Sequence, residues 1–129
     1  MSLFVLDTSI LIFHLRGEPW ASQLLDELLD QGQALATTPV TLAELYAGVR
    51  PREEARLSRL LDRLECLPIS AAVGRKAGRY LARFSRSHGV ELGDALIAAL
   101  AYESEATLVT SDLRHFPMKD ISVLTAPPA

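Results

Sequence analysis

Residues 3–12 read LFVLDTSILI, so a carboxylate, Asp7, interrupts an otherwise apolar run. An isolated buried carboxylate is costly, so Asp7 must stand at an edge, be hydrogen-bonded or hold a cation. Three more acids stand out, Asp94 at a helix start, Asp112 at a strand end and Glu44 in the middle of a short helix. Glu44 lies in TLAELYAG, Asp94 in ELGDALIAAL just after Gly93, and Asp112 directly after TLVTS. If several of them converge, two unit charges about 4 Å apart repel by roughly 4 kcal/mol at an effective dielectric of 20. Either some protonate or a cation sits between them. The only lysines are Lys76 and Lys119, and neither falls at a predicted strand end. Oxygen-only ligands favour a hard cation, Mg²⁺ or Mn²⁺. Such an ion lowers the pKa of a bound water and stabilises in-line phosphoryl displacement, so the pattern points to metal-dependent phosphodiester hydrolysis. Each acid also has a simpler reading. Asp7 and Asp94 suit helix N-caps, Glu44 an exposed helix face, and Asp112 a turn.

Whether the acids meet depends on the elements that carry them. Leu3–Leu6 is a buried-type strand ending at Asp7, followed by a helix from Thr8 to Leu15. Pro19 opens a second helix with a stripe of Trp20, Leu24, Leu25, Leu28 and Leu29, stopped at Gly32. Ala34–Thr37 is a second strand. Pro39 opens a helix carrying Leu42, Leu45, Tyr46 and Val49. Arg52–Leu64 is an amphipathic helix, and Leu67–Ile69 a third strand. Ser70 caps a helix over residues 71–87 that ends at His88-Gly89. Leu92–Ser104 is a buried apolar helix. Thr107–Thr110 and Ile121–Leu124 are the last strands, and Ala126–Ala129 a frayed tail. Short apolar strands alternating with helices imply a parallel sheet covered on both faces. Ligands of such sheets bind beyond the carboxyl ends of the strands, where Asp7 and Asp112 fall.

The 129 residues fit one domain, residues 1–129, with an ordinary globular composition of 49% hydrophobic and 22% charged residues. No apolar run is long enough to span a bilayer, and the N-terminus lacks a signal-peptide pattern, so a cytoplasmic protein is expected. The one cysteine, Cys66, excludes an intramolecular disulfide and reads as a small core residue. Net charge is −3, which argues against a nucleic-acid binder until its distribution is considered. Residues 50–88 carry ten Lys/Arg and four Asp/Glu, a balance of +6, and the remainder is −9. A local basic patch is sufficient to follow phosphates.

The order D-T-S after the first strand, a helical Glu in TLAELYAG, D-A-L-I-A-A opening a helix and T-S-D-L-R-H-F after a late strand resembles a PIN domain. More narrowly, it is similar to the VapC-type toxin ribonucleases of toxin–antitoxin pairs. The resemblance covers essentially the whole chain. It implies a three-layer α/β/α fold with a mainly parallel sheet of about five strands. It implies an acidic catalytic site of Asp7, Glu44, Asp94 and Asp112 around Mg²⁺ or Mn²⁺, supported by the polar residues Thr8, Ser9 and Thr110. It implies RNA as substrate, a homodimer, and a cognate VapB-like antitoxin whose C-terminal segment blocks the site, often through an Arg.

Arg75, Arg79, Arg83 and Arg86 recur on one helix as a phosphate-following ridge or a solvated face, and Arg114 joins them as a substrate-binding candidate. His88 and His115 read as structural more readily than as acid–base groups. Trp20, Tyr46 and Tyr102 read as core or dimer surface rather than base-stacking platforms. Competing functions are a housekeeping PIN nuclease without an antitoxin and a non-catalytic PIN-fold binding module. A phosphoacceptor receiver needs an acidic pair after the first strand and a lysine at a late strand end, and has neither here. A haloacid-dehalogenase-like phosphatase needs a second Asp where Ser9 stands.

Overall fold

A computed structural model of the chain describes residues 2–127. Five strands pair in the order β3-β2-β1-β4-β5, every pair parallel. They are β1 (Leu3–Leu6), β2 (Ala34–Thr37), β3 (Glu65–Cys66), β4 (Thr107–Thr110) and β5 (Ser122–Thr125). The helices are α1 (Thr8–Leu15), α2 (Pro19–Asp30), α3 (Pro39–Gly48), α4 (Glu54–Leu61), α5 (Ala71–His88) and α6 (Leu92–Glu103). The chain builds outward from β1 to β3, crosses back, and adds β4 and β5 on the other side. The strand order therefore reverses between β1 and β4, and a crevice opens at their carboxyl ends. No helix of the described residues is long and apolar enough to cross a membrane.

The sheet divides the interior in two because alternate strand residues face opposite sides. Val5, Ala36 and Leu108 face the layer of α5 and α6, where they join Val73, Ala77, Ile97 and Leu100. Leu6, Leu35 and Val109 face the layer of α1, α2 and α4, where they join Ile10, Leu25, Leu57 and Leu60. Helix α6 is apolar on nearly every side because it is enclosed between α5 and the sheet. Helix α3 packs against both α1 and α6. Its Leu45 joins one core and its Val40 the other, so it spans the open end of the sheet. Three layers with a parallel sheet match the expected architecture.

Several details differ from the sequence reading. The expected Arg52–Leu64 helix begins as a single 3₁₀ turn, Pro51–Glu53, and α4 ends at Leu61. Glu53 Oε1 accepts from Arg50 N at 3.0 Å and holds that turn apart from the helix. The third strand lies earlier than expected. Glu65 and Cys66 pair with Ala36 and Thr37, and the ladder stops before Pro68, which has no N–H to donate. Cys66 is exposed on that edge strand rather than in the core. Tyr46 points outward at 52% exposure, while its neighbour Leu45 is buried. Ala126 is not frayed: it is buried, and its N–H donates to the Thr110 carbonyl at 2.9 Å. Pro127 is exposed, and residues 128 and 129 of that expected tail lie outside the described residues.

Helix α5 is bounded as expected, by Ser70 Oγ accepting from Val73 N and by Gly89 at φ +65°. That angle is open to glycine and strained for any residue with a Cβ. Gly89→Ala is expected to lower stability by about 1 kcal/mol, or roughly 4 °C in thermal midpoint. An unchanged midpoint in a thermal melt would mean that the helix end relaxes into another conformation without cost.

Candidate functional site

The crevice at the β1/β4 switch is built around Asp7. The strand ends here because Asp7 N donates to the Val109 carbonyl at 2.8 Å and the chain then turns into α1. Asp7 is the N-cap of that helix, so the simple reading of this residue is correct and does not exhaust it. Its Oδ1 accepts from Thr8 N at 2.8 Å. Its Oδ2 accepts from Thr110 Oγ1 at 2.8 Å and Ser9 Oγ at 3.1 Å. The carboxylate is thus held by donors from two strands' ends while 7% exposed. Burial pushes its pKa above the usual carboxylate range, and nearby Glu44 adds to that push. The hydrogen bonds from Thr110, Ser9 and Thr8 oppose it.

Glu44 reaches the same place from α3. Thr8 Oγ1 donates to Glu44 Oε1 at 2.8 Å and lies 3.1 Å from Thr41 Oγ1. Thr41 is fixed in turn by Thr38, the N-cap of α3, whose Oγ1 accepts from Thr41 N at 3.0 Å. Thr41 and Glu44 are three residues apart and so share one helix face. The backbone of α6 passes close by. A Cβ on Gly93 would lie 3.5 Å from Val40 Cγ1 and 4.0 Å from both Glu44 carboxylate oxygens, so any side chain longer than methyl would press on this acid.

Asp94 sits one residue further along α6 and is half-buried. Its Oδ2 accepts from Glu91 N at 3.1 Å as part of a capping box. Burial raises its pKa, and the charge of Asp7 acts in the same direction. The Glu91 N–H and His115 pull it down. Asp112 N donates to Thr110 Oγ1 at 3.0 Å, while its carboxylate is paired with His115 Nδ1. Direct hydrogen bonds therefore connect Asp7, Thr8, Ser9, Glu44 and Thr110, and Ser111 joins them through Ser9 at 2.8 Å. Asp94 shares the crevice through its charge rather than through contact with Asp7. Arg114 is exposed two residues past Asp112. Of the α5 arginines, only the Arg86 end approaches the crevice. Gly89 at that end is near His115, whereas Lys76 at the other end binds Asp120 just before β5. Thr38, Thr41 and Ser111 are members that sequence reasoning missed. The pair Thr38 and Thr41 ahead of Glu44, around Pro39, is the signal that could have found the first two.

The four acids do not converge as closely as expected. Among the described residues, no three His, Cys, Asp or Glu side chains are placed to hold one ion together. Each outer acid has a partner of its own: Glu44 the Thr8 hydroxyl, Asp94 its helix cap, and Asp112 the His115 ring. The donor set still fits a hard divalent ion. It is entirely oxygen, it includes the buried Asp7, and none of the lysine or arginine ion pairs of the described residues lies within it.

The profile of the PIN domain matches residues 4–121 of this chain. The chain is a VapC-type PIN domain. It is 40% identical over 115 residues to "Ribonuclease VapC19" of Mycobacterium tuberculosis, covering 88% of this chain and 92% of that one. It is 38% identical over 117 residues to "Ribonuclease VapC10" of the same species, covering 90% and 87%. In structure it is similar to the Rickettsia felis VapBC2 complex solved on a DNA fragment from its promoter. The TM-score there is 0.81, with 26% identity and coverage of 95% and 98% of the two chains. DNA-bound VapBC from Salmonella typhimurium gives the same TM-score of 0.81 at 26% identity, covering 97% and 98%.

The raised pKa values of this PIN domain carry a consequence for stability. A carboxyl whose folded pKa exceeds its unfolded value favours folding while protonated. That contribution is lost as pH rises from the usual carboxylate range through the raised value. Asp94→Asn keeps an oxygen for Glu91 N and removes the charge that burial and Asp7 oppose. In EDTA near neutral pH, its thermal midpoint is expected to equal or exceed that of the parent. A clear drop would assign Asp94 to helix capping alone.

Proposed function

We propose that this VapC-type PIN domain is a Mg²⁺- or Mn²⁺-dependent endoribonuclease and the toxin of a toxin–antitoxin pair. The observation that carries the reading is Asp7, a buried carboxylate at the β1/β4 switch, coupled through Thr8 to Glu44 and sharing its crevice with Asp94, with none of the lysine or arginine ion pairs of the described residues among them. The names of the relatives, ribonucleases all, support the same reaction.

Asp7, Glu44, Asp94 and Asp112 would hold the ion. When bound, it supplies a water of lowered pKa and neutralises charge on the scissile phosphate. Asp7 is the fixed member, because three donors set both of its oxygens before any ligand arrives. Glu44 and Asp94 come from different helices and are more exposed, so they can adjust toward a cation. Thr8 orients Glu44, and Thr110 orients Asp7 while also accepting from Asp112 N, so one hydroxyl ties the first and last acids together. Ser9 and Ser111 line the crevice between β1 and β4. An antitoxin that closes this site must bring positive charge to the acids, and an Arg side chain meets that requirement. A homodimer is part of the same reading.

The test is cleavage of a mixed RNA pool by purified protein free of antitoxin, with Mg²⁺, with Mn²⁺ and with EDTA, beside Asp94→Asn. Metal-requiring cleavage that disappears in the variant is the expected outcome. Cleavage that persists in the variant and in EDTA would place the activity elsewhere. Growth arrest on expression, relieved by a small neighbouring gene product, separates a toxin from a housekeeping nuclease.

A further inference from the structure

The basic character of residues 50–88 does not form one surface, because the sheet separates its two helices. The α4 stretch, residues 51–64, mixes four arginines with Glu53, Glu54 and Asp62. Two of those arginines are engaged. Arg56 donates to the His14 and Leu15 carbonyls at the end of α1, and Arg63 pairs with Asp26 at 2.7 Å. Helix α5 lies in the other layer and carries Arg75, Lys76, Arg79, Arg83 and Arg86 with no acid in its 18 residues. All four of its arginines are exposed, and among the described residues none forms a hydrogen bond or ion pair. Arg75, Arg79 and Arg83 repeat every four residues and so form a row about 12 Å long. Lys119 approaches from the segment before β5. With Arg79, Arg83, Tyr80, Phe84 and Met118 it lines a groove of about 390 Å³. Asp120 is the one acid in that groove, and it is bound by Lys76 Nζ at 2.6 Å and Tyr80 OH at 2.7 Å. Three cations are left without a counter-charge, beside two aromatic rings.

We propose that the exposed face of α5, together with Lys119, is a track for the sugar–phosphate backbone of single-stranded RNA extending away from the cut. The proposal rests on the nuclease reading above and deepens it. The row leads from Arg86 near the acidic crevice toward the amino ends of the strands, so only an RNA longer than the crevice reaches it. A row of point charges follows phosphates without reading bases, and the rings offer sequence-tolerant stacking. The substrate class is therefore RNA with an extended unpaired flank on one side of the scissile bond.

The test is anisotropy in EDTA with labelled single-stranded RNA of about 30 and about 6 nucleotides, over a range of salt. The variants are Arg79→Glu/Arg83→Glu, the milder Arg79→Gln/Arg83→Gln, and the control Arg52→Glu/Arg59→Glu on α4. For the long RNA, the α5 charge reversal is expected to weaken binding more than tenfold. The Gln pair is expected to reduce the slope of log affinity against log salt by about 1.4, at about 0.7 per lost phosphate contact. The α4 control and the short RNA should change little. With metal, KM for the long RNA should rise in the α5 variants while kcat holds. Equal losses in the α4 and α5 variants would reduce the effect to net charge and overturn the track. So would unchanged long-RNA binding, or loss of an acidic protein partner's binding alone. Binding in EDTA is read without cleavage, so a failed nuclease reading leaves this arm able to stand or fall separately.

Discussion

Asp7→Asn is expected to reduce metal-dependent RNA cleavage by about 10³-fold, the equivalent of about 4 kcal/mol of transition-state stabilisation. The amide keeps the size and the Oδ1 acceptor for Thr8 N, so the cap of α1 survives. What changes is the Oδ2 side, where Thr110 and Ser9 both donate to a carboxylate. An amide nitrogen there requires both hydroxyls to turn and accept. Thr110 Oγ1 already accepts from Asp112 N, so its proton loses its partner while Asp112 stays in place. Against that stands the relief of removing a buried charge. The variant should therefore fold, with a circular dichroism spectrum like that of the parent, and fail in cleavage. Asp7→Ala is the contrasting case, losing the cap as well and about 1 kcal/mol of stability with it. Near-parental cleavage by Asp7→Asn would remove this carboxylate from the chemistry and leave it as a cap.

The second large effect concerns the metal and the proton together. Mn²⁺ at about a hundred times its Kd is expected to raise the thermal midpoint by about 10 °C at about pH 8. Lowering the pH toward 5 should diminish the shift, because protons compete for carboxyls whose pKa values burial has raised. In EDTA the sign reverses. Folded Asp7 and Asp94 bind protons more readily than unfolded ones do, so their contribution to stability falls as pH rises above the usual carboxylate range. His14 runs the other way. Burial, Arg56 and Arg63 lower its pKa, so its contribution is complete above the usual histidine value and is lost as pH falls through the lowered one. The difference between parent and Asp94→Asn melts isolates the acidic site from this histidine. A Mn²⁺ shift of the same size in both proteins across the whole pH range would place the bound ion away from Asp94.

Much of the site was legible before any coordinates because its anchors coincide with punctuation in the sequence. A carboxylate directly after LFVL and another directly after TLVTS mark two strand ends, and the switch-point rule for open parallel sheets places both at one edge. The family resemblance then supplied Glu44, which has no such mark. The hydroxyl chain from Thr38 through Thr41 to Thr8 was not legible, because it depends on how α3 packs across α1. The side-chain partners of the outer acids were hidden in part: a capping role for Asp94 was read from the sequence, but not that Glu91 is the N-cap and Asp94 the N3 member of a capping box. Asp94 taking the Glu91 N–H and Asp112 taking the His115 ring are choices among rotamers, and periodicity carries no information about them. In the fold, β3 was misplaced by two residues because Leu67 and Ile69 look like a strand. They serve instead as core contacts on either side of Pro68, with Leu67 N donating the last rung of the ladder to the Thr37 carbonyl at 3.0 Å. Cys66 followed the same error outward.

The division of the interior by the sheet bears on how this molecule comes apart. Local opening proceeds in units, and here the natural units are the α5/α6 hairpin on one face and α1, α2 and α4 on the other. The acidic crevice belongs to neither. Asp7 and Thr8 stand where β1 passes into α1, Glu44 comes from α3 that straddles both, and Asp94 comes from α6. Undocking of either layer separates at least one acid from Asp7 while the central strands β1 and β4 stay paired. The site therefore dissolves in partial openings that leave the sheet intact, and a ligand bridging the acids acts as a clasp between two halves that otherwise share only their strands and α3.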